Sequence, residues 1–319
     1  MLATIKNAVN FKSISDIVRG ENHFAHMRLG VLSIGERLYS TQRIVKEAKR
    51  RGHDVRIVDY TRCALFFDKT TPKVIYHGED ISEFADAIIP RIGASYTKQG
   101  LLVVNQFEKR DIYNIASSIG ILRSRNKLLT FQHLVEHNVP IPKTVYGNNK
   151  HQLKEQLALL DSEKVIIKFL EGTHGLGVML AESKQSAISI IETMSALNQM
   201  VLLQEFVEEA NGADIRAYVV GEKVVASMRR KSNGDFRSNV HRGGSTQAIK
   251  LTTEEEDIAV TSAQCLGLDV AGVDIIRSNR GSLVIEVNSS AGLEGIEGAT
   301  KVNIAGEIIR YIEQRVNDR

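Results

Sequence analysis

Hydrophobic and polar positions follow two rhythms along the chain. RLGVLSIG (28–35), DVRIVDY (54–60) and ADAIIPRIG (85–93) are short apolar runs that read as strands, the last apolar enough for burial on both faces. A helical pattern between the first two ends in AKRRG, with Gly52 as its stop. Strands alternating with helices predict a parallel sheet of βαβ units up to about residue 123. Leu128, Leu129, Phe131, Leu134 and Val135 then recur at helical spacing until Pro140 and Pro142 stop them.

Farther on, the pattern predicts a strand near KTVYG, a helix over about 149–161, a strand at VIIKFL, another at VMLAES, and a helix over 184–198. VLLQEFV (201–207) is a strand, and DIRAYVVGEKVVASMRRK reads as two strands joined at Gly221 and Glu222. The stretch NGDFRSNVHRGG (233–244) is too polar for a core. A helix capped by Thr252 or Thr253 carries acids in its first turn. A hairpin over 271–288 turns around Asn279–Gly281, and a last helix covers about 303–316. These elements divide the chain into a leader (1–27), a parallel-sheet α/β region (28–123), a small central α+β region (124–202) and a C-terminal α+β region (203–319).

Composition narrows the class. Hydrophobic residues at 43% and charged residues at 25% describe an ordinary soluble globular protein. No apolar run is long enough to span a bilayer, and the first 27 residues contain no signal-peptide pattern. Two distant cysteines, Cys63 and Cys265, offer no metal spacing and fit a reducing, cytoplasmic setting. A net charge of +3 is too weak to indicate nucleic-acid binding.

Candidate chemistry begins at VIIKFLEGTHGLGVMLAES (165–183). Gly172, Gly175 and Gly177 lie between two strands, so the loop is not a phosphate loop at a helix N-terminus. It is either a flap that lays backbone N–H groups over phosphates or a flexible hairpin turn. Lys168, inside the apolar run, should face away from the core. There it either meets a phosphate or stands exposed on a polar face.

The hairpin over 271–288 is more specific. Glu286 and Asn288 are two apart and share a face. A turn centred on Arg280 sets Asp274 opposite Glu286, while Val273, Ile275, Ile285 and Val287 face the core. Two carboxylates and an amide on one patch repel unless a cation sits among them, and Mg²⁺ takes such oxygen ligands together with substrate phosphates. Two acids on a solvated face is the bland alternative.

Taken in order, Lys127 after SRN, Lys168 before GTHGLG, QEFVEEANGADIR, and Asp274, Glu286 and Asn288 with SSAGLEGIE resemble the ATP-grasp superfamily. The likeness is closest to the RimK-type α-L-glutamate ligases and covers roughly residues 28 to 315; the leader departs from it. Ala291 stands where the family often has proline. The resemblance implies an ATP-grasp fold: an N-terminal parallel-sheet (pre-ATP-grasp) domain, a central lid and a C-terminal domain with the metal site. It implies that Lys127 and Lys168 contact ATP phosphates and that Glu205 and Phe206 form the adenine hinge. Asp214 would hold the ribose, and Arg237, Ser238 and Asn239 would close over the nucleotide. Asp274, Glu286 and Asn288 would bind Mg²⁺ or Mn²⁺, two ions in all.

A ligase of this type makes a carboxylate electrophilic with the γ-phosphoryl group of ATP, and an amine then attacks. Such chemistry needs positioning and charge neutralisation rather than a protein nucleophile. Arg216, Arg229 and Arg242 are candidates to hold the acyl phosphate or a substrate carboxylate. Arg91 at a strand end, Tyr39 and His241 are candidate substrate contacts, with a structural ion pair as the alternative for Arg91 and Tyr39. The resemblance implies L-glutamate as substrate, a peptide or ribosomal-protein tail as acceptor, and homo-oligomers, tetramers among them. Two other readings remain: glutamylation of a small-molecule cofactor, and an ATP sensor without catalysis.

Overall fold

The computed structural model describes residues 26–69, 71–147, 152–170, 177–232 and 244–319. In the N-terminal region, β1 (Arg28–Leu32) is flanked by β2 (Asp54–Val58) on one side. A small antiparallel sheet of β3 (Ala64–Phe66), β4 (Lys73–Tyr76) and β5 (Glu79–Asp80) follows β2. β6 (Ala87–Pro90) and β7 (Tyr113–Asn114) complete a parallel sheet of order β2-β1-β6-β7. The chain leaves β1 toward one edge and β6 toward the other. The crevice beyond their carboxyl ends is therefore a topological switch point, the usual ligand position in open α/β sheets.

The central region is an antiparallel sheet of β8 (Thr144–Val145), β9 (Val165–Phe169), β10 (Val178–Ala181) and β11 (Val201–Glu205), ordered β10-β9-β11-β8. It runs past residue 202 to take in Glu205. The helix expected over 149–161 is shorter, Leu153–Ala158. The C-terminal sheet joins β12 (Ala213–Val220), β13 (Lys223–Lys231), β14 (Ser245–Ala248), β15 (Val270–Ser278) and β16 (Gly281–Asn288) in the order β14-β13-β12-β15-β16. The helix Thr253–Leu266 packs on that sheet. Its cap is Thr252, whose hydroxyl accepts the Glu255 N–H while the Glu255 carboxylate accepts the Thr252 N–H.

Two buried apolar clusters each combine residues of the parallel sheet with residues of the C-terminal sheet. In one, Leu32 and Ile88 join Ala217 and Val273. In the other, Leu29 and Ile44 join Tyr218 and Ile308. A third cluster, with Leu157, Val165, Ile167 and Leu203, lies under the helices of the central region. Cys63 and Cys265 are half-buried, and burial pushes their thiols up to about 12 and about 11, so neither is a ready thiolate at neutral pH.

A buried ion cluster fixes the first region against the last helix, Ile304–Asn317. Glu313 accepts from Arg51 at 2.8 and 2.5 Å and lies 2.8 Å from Nε2 of His53. The Met27 N–H donates to Nδ1 of the same ring, which sets Nε2 as the proton-bearing nitrogen. Removing the carboxylate leaves buried partners unmet. Glu313→Ala is expected to lower the unfolding free energy by about 3–5 kcal/mol. Denaturant melts should show this as a lower midpoint at unchanged slope, and a loss under about 1 kcal/mol would contradict it.

Candidate active site

Lys168 supplies the first part of the site. Val165 and Ile167 pack under the helices, and Lys168 points the other way, as its position in the strand predicts. That second face is covered too, so Lys168 is buried, not exposed. Its Nζ donates to Gln204 Oε1 at 2.7 Å, a neutral acceptor. Burial holds its ammonium down at about 8, against an ordinary 10.5; Glu286 pulls it up, Lys127 pushes it down and Asp274 pulls it up. Lys127 opens the helix Lys127–Glu136, and its N–H donates to Leu170 O at 3.1 Å. That bond stitches the helix start to the end of β9 and brings together two lysines far apart in sequence.

The hairpin of β15 and β16 supplies the second part. Asp274 pairs with Glu286 and Gly272 with Asn288. The turn is one step tighter than expected, since Ser278 pairs with Gly281. A bulge between Asp274 and Ile275 restores the pairing by setting Ile275 opposite Val284, which leaves Ile285 only partly buried instead of in the core. Val273, Ile275 and Val287 are fully buried as predicted. Asn288 Nδ2 approaches Asp274 Oδ2 at 3.4 Å. A Cβ on Gly272 would meet the Ala291 Cβ at 2.5 Å, so the loop after Asn288 is packed tightly here.

An arginine network is the third part. Arg216 grips Asp274 through Nε at 2.7 Å and Nη2 at 2.6 Å. Arg230 grips Asp214 at 2.7 and 2.5 Å and reaches Asp274 at 2.9 Å. Burial alone would raise the Asp274 carboxyl, but Arg216 and Arg230 outweigh it and hold it below the usual carboxylate range. Asp214 is therefore a buried, doubly held carboxylate and not an open one. Arg230, not Arg229, faces the site. A second bulge, between Tyr218 and Val219, sets Asp214 opposite Arg230 and Ile215 opposite Arg229. Arg229 is exposed on the other face of β13 and lines a cavity of about 330 Å³ with Glu209, Asp214, Gln247 and Arg277.

The remaining predicted residues are tied into the frame. Arg91 Nη2 donates to the carbonyls of Ser290 at 3.2 Å and Ala291 at 2.8 Å, which joins the end of β6 to the loop after β16. The Tyr39 hydroxyl donates to Glu297 at 3.3 Å, beside Arg43 at 2.8 Å, and so serves an interdomain ion cluster. Glu205 accepts the Lys143 N–H at 2.6 Å and also binds Arg280. Phe206 lies under the Lys164 ammonium, 5.7 Å from the ring centroid, and its N–H donates to Lys164 O at 3.3 Å. Gly177 has φ +76°, and a Cβ there would collide with the Phe169 ring, so the start of β10 requires glycine. Gly172, Gly175, Arg237, Ser238, Asn239, His241 and Arg242 lie outside the described residues.

A sequence model of the RimK-like ATP-grasp domain matches residues 124–312, and one of the RimK PreATP-grasp domain matches residues 27–121. The chain belongs to the RimK-like ATP-grasp family. It is 46% identical over 294 residues, 92% of this chain and 97% of the relative, to a probable alpha-L-glutamate ligase of Pseudoalteromonas translucida (strain TAC 125). It is 47% identical over 289 residues, 90% of this chain and 96% of the relative, to a protein of the same name from Nitrosococcus oceani. The ATP-grasp ligase PsnB, solved with its minimal precursor, Mg and ADP, superposes with a TM-score of 0.71. It shares 21% identity over 92% of this chain and 98% of that one, a likeness of fold.

An ATP-grasp ligase handles a highly charged nucleotide, and the described residues gather cations and carboxylates close together. Lys127, Lys168, Arg216 and Arg230 gather about Asp214, Asp274 and Glu286. Asp274, Glu286 and Asn288 offer only hard donors, which suit Mg²⁺ or Mn²⁺. Such ions usually keep water and substrate phosphates among their ligands. Sequence reasoning placed Arg230 only within a local basic cluster, giving the role to Arg229, and did not single out Arg125 or Gln204. A polar Gln inside VLLQE, two strand positions from the residue paired with Lys168, was the available signal for Gln204.

Proposed function

We propose that this ATP-dependent ligase joins L-glutamate, through its amine, to the C-terminal carboxylate of a peptide or protein acceptor. The tail of a small-subunit ribosomal protein, or a growing chain of α-linked glutamates, is the acceptor the reading favours. The observation that carries it is that buried Lys168 feels the charges of Lys127, Asp274 and Glu286, in a chain about 46% identical to proteins named for this activity.

An acceptor carboxylate oxygen attacks the γ-phosphorus of ATP, the bond to the β–γ bridging oxygen breaks, and ADP leaves. The glutamate nitrogen then attacks the acyl carbon, the carbon–oxygen bond to phosphate breaks, and inorganic phosphate carries away the negative charge. The amine's proton is lost to solvent or phosphate. Mg²⁺ or Mn²⁺, held by Asp274, Glu286 and Asn288, would neutralise phosphate charge. Lys127 and Lys168 bind phosphate oxygens, Glu205 and Phe206 flank the adenine, and Arg216 and Arg230 hold Asp274 ionised and oriented. In this reading residues 28–123 shape the acceptor side, 124–202 act as the lid and 203–319 carry the metal ligands.

Mass spectrometry of a glutamate-ended peptide after incubation with ATP, Mg²⁺ and L-glutamate tests the acceptor. The peptide is expected to gain whole glutamyl residues. An unmodified peptide alongside glutamate-dependent ADP formation would move the acceptor to free glutamate or a small-molecule cofactor.

A further inference from the structure

The helix Ser118–Arg125 ends on a guanidinium that none of these roles uses. Arg125 Nη2 donates to Ile92 O at 2.5 Å, just beyond β6. Its Nε is buried with no hydrogen-bond partner among the described residues. Burial works against its charge. The charged and titratable groups whose fields act on it are Glu286 from β16, Tyr60 from the turn after β2, and Arg91 from the end of β6. Part of Arg91 is already spent on the carbonyls of Ser290 and Ala291. Arg125 and Arg91 thus lie beyond the end of β6, at the switch point of the parallel sheet, and the Glu286 charge acts on Arg125.

Glu286 is the hub of this arrangement. Its charge acts on both Lys168 and Arg125. The lysine side suits the phosphates of the nucleotide. On the other side, a planar fork with an unmet N–H matches a carboxylate bidentately.

We propose that Arg125 is a substrate-binding residue that receives a carboxylate beside Glu286, with Arg91 as its neighbour. The carboxylate comes either from the acceptor awaiting phosphorylation or from the α-carboxylate of the incoming amino acid. This proposal rests on the ligase reading above.

The test compares the wild-type full chain with Arg125→Gln and Arg125→Lys. It measures KM for L-glutamate, KM for a glutamate-ended peptide, and Kd for Mg-ADP by calorimetry. Arg125→Gln is expected to raise one of the two KM values about 10- to 100-fold, the size of a lost charged hydrogen bond, with Kd for ADP within about twofold of wild type. Whichever KM moves identifies the source of the carboxylate. Arg125→Lys should recover only part of the loss, because it restores charge without the fork. It also gives the reading if Arg125→Gln does not fold. Unchanged KM values in a folded variant, or an ADP affinity that weakens as much as the KM, would overturn the proposal. A wild type without glutamate-dependent turnover would overturn the ligase reading first, and the proposal with it.

Discussion

Lys168→Met is expected to cut ATP-dependent turnover by about 10²- to 10³-fold while leaving the fold intact. Lys168 is 8% exposed and donates to a neutral amide, so its ammonium is costly in the ligand-free protein. The drop from 10.5 to about 8 corresponds to roughly 3 kcal/mol. An anionic phosphate would offset that cost, and methionine cannot bind one. The thermal midpoint of Lys168→Met should equal or exceed that of the wild type, since a near-isosteric apolar chain removes the charge penalty.

The same lysine sets a pH dependence. Its pKa in the folded chain is lowered, so the unfolded chain binds more protons between about 8 and 10.5, and ligand-free stability should rise with pH across that window. If Lys168 holds the nucleotide phosphates as proposed, ADP binding draws on its ammonium, and Kd should rise about tenfold per pH unit above about 8. Calorimetry in buffers of different ionisation enthalpy reads both the affinity and the proton uptake. A flat profile from pH 7 to 10 would contradict the role given to Lys168.

Asp274→Asn is the second large effect. Asp274 is 2% exposed and is held by Arg216 and Arg230. Neutralising it leaves Arg216 without its carboxylate, while Arg230 keeps Asp214. The expected loss is about 3–5 kcal/mol of stability, together with turnover. Because the folded carboxyl is lowered, its contribution is present above the ordinary unfolded value of about 3.9 and lost as pH falls through the folded value. Acid denaturation of the variant should therefore be shallower below about pH 4 than that of the wild type. Circular dichroism against pH measures this, and equal acid limbs would count against the network.

The sequence revealed much of the site because strand periodicity is a local property. Glu286 and Asn288 share a face by spacing alone, and Asp274 meets Glu286 across the hairpin. Single-residue irregularities were harder to read. A regular hairpin closing at Gly221 and Glu222 would set Arg229 opposite Asp214. The bulge beside Tyr218 moves Arg230 there, and one residue reverses the face of a side chain. The burial of Lys168 was also hidden. Its strand position gives the direction of the side chain, but long-range packing decides whether that face is covered. Arg125 was missed for the same reason: its neighbours Glu286 and Arg91 are remote in sequence and meet only in the folded chain.

The most direct measurement is phosphate release with ATP and Mg²⁺ across the common amino acids, with and without a glutamate-ended peptide, for the wild type and Glu286→Gln. A metal-nucleotide ligase site predicts release stimulated by L-glutamate in the wild type and reduced by at least about 10²-fold in Glu286→Gln. Release that no amino acid stimulates, or that survives in Glu286→Gln, would contradict it.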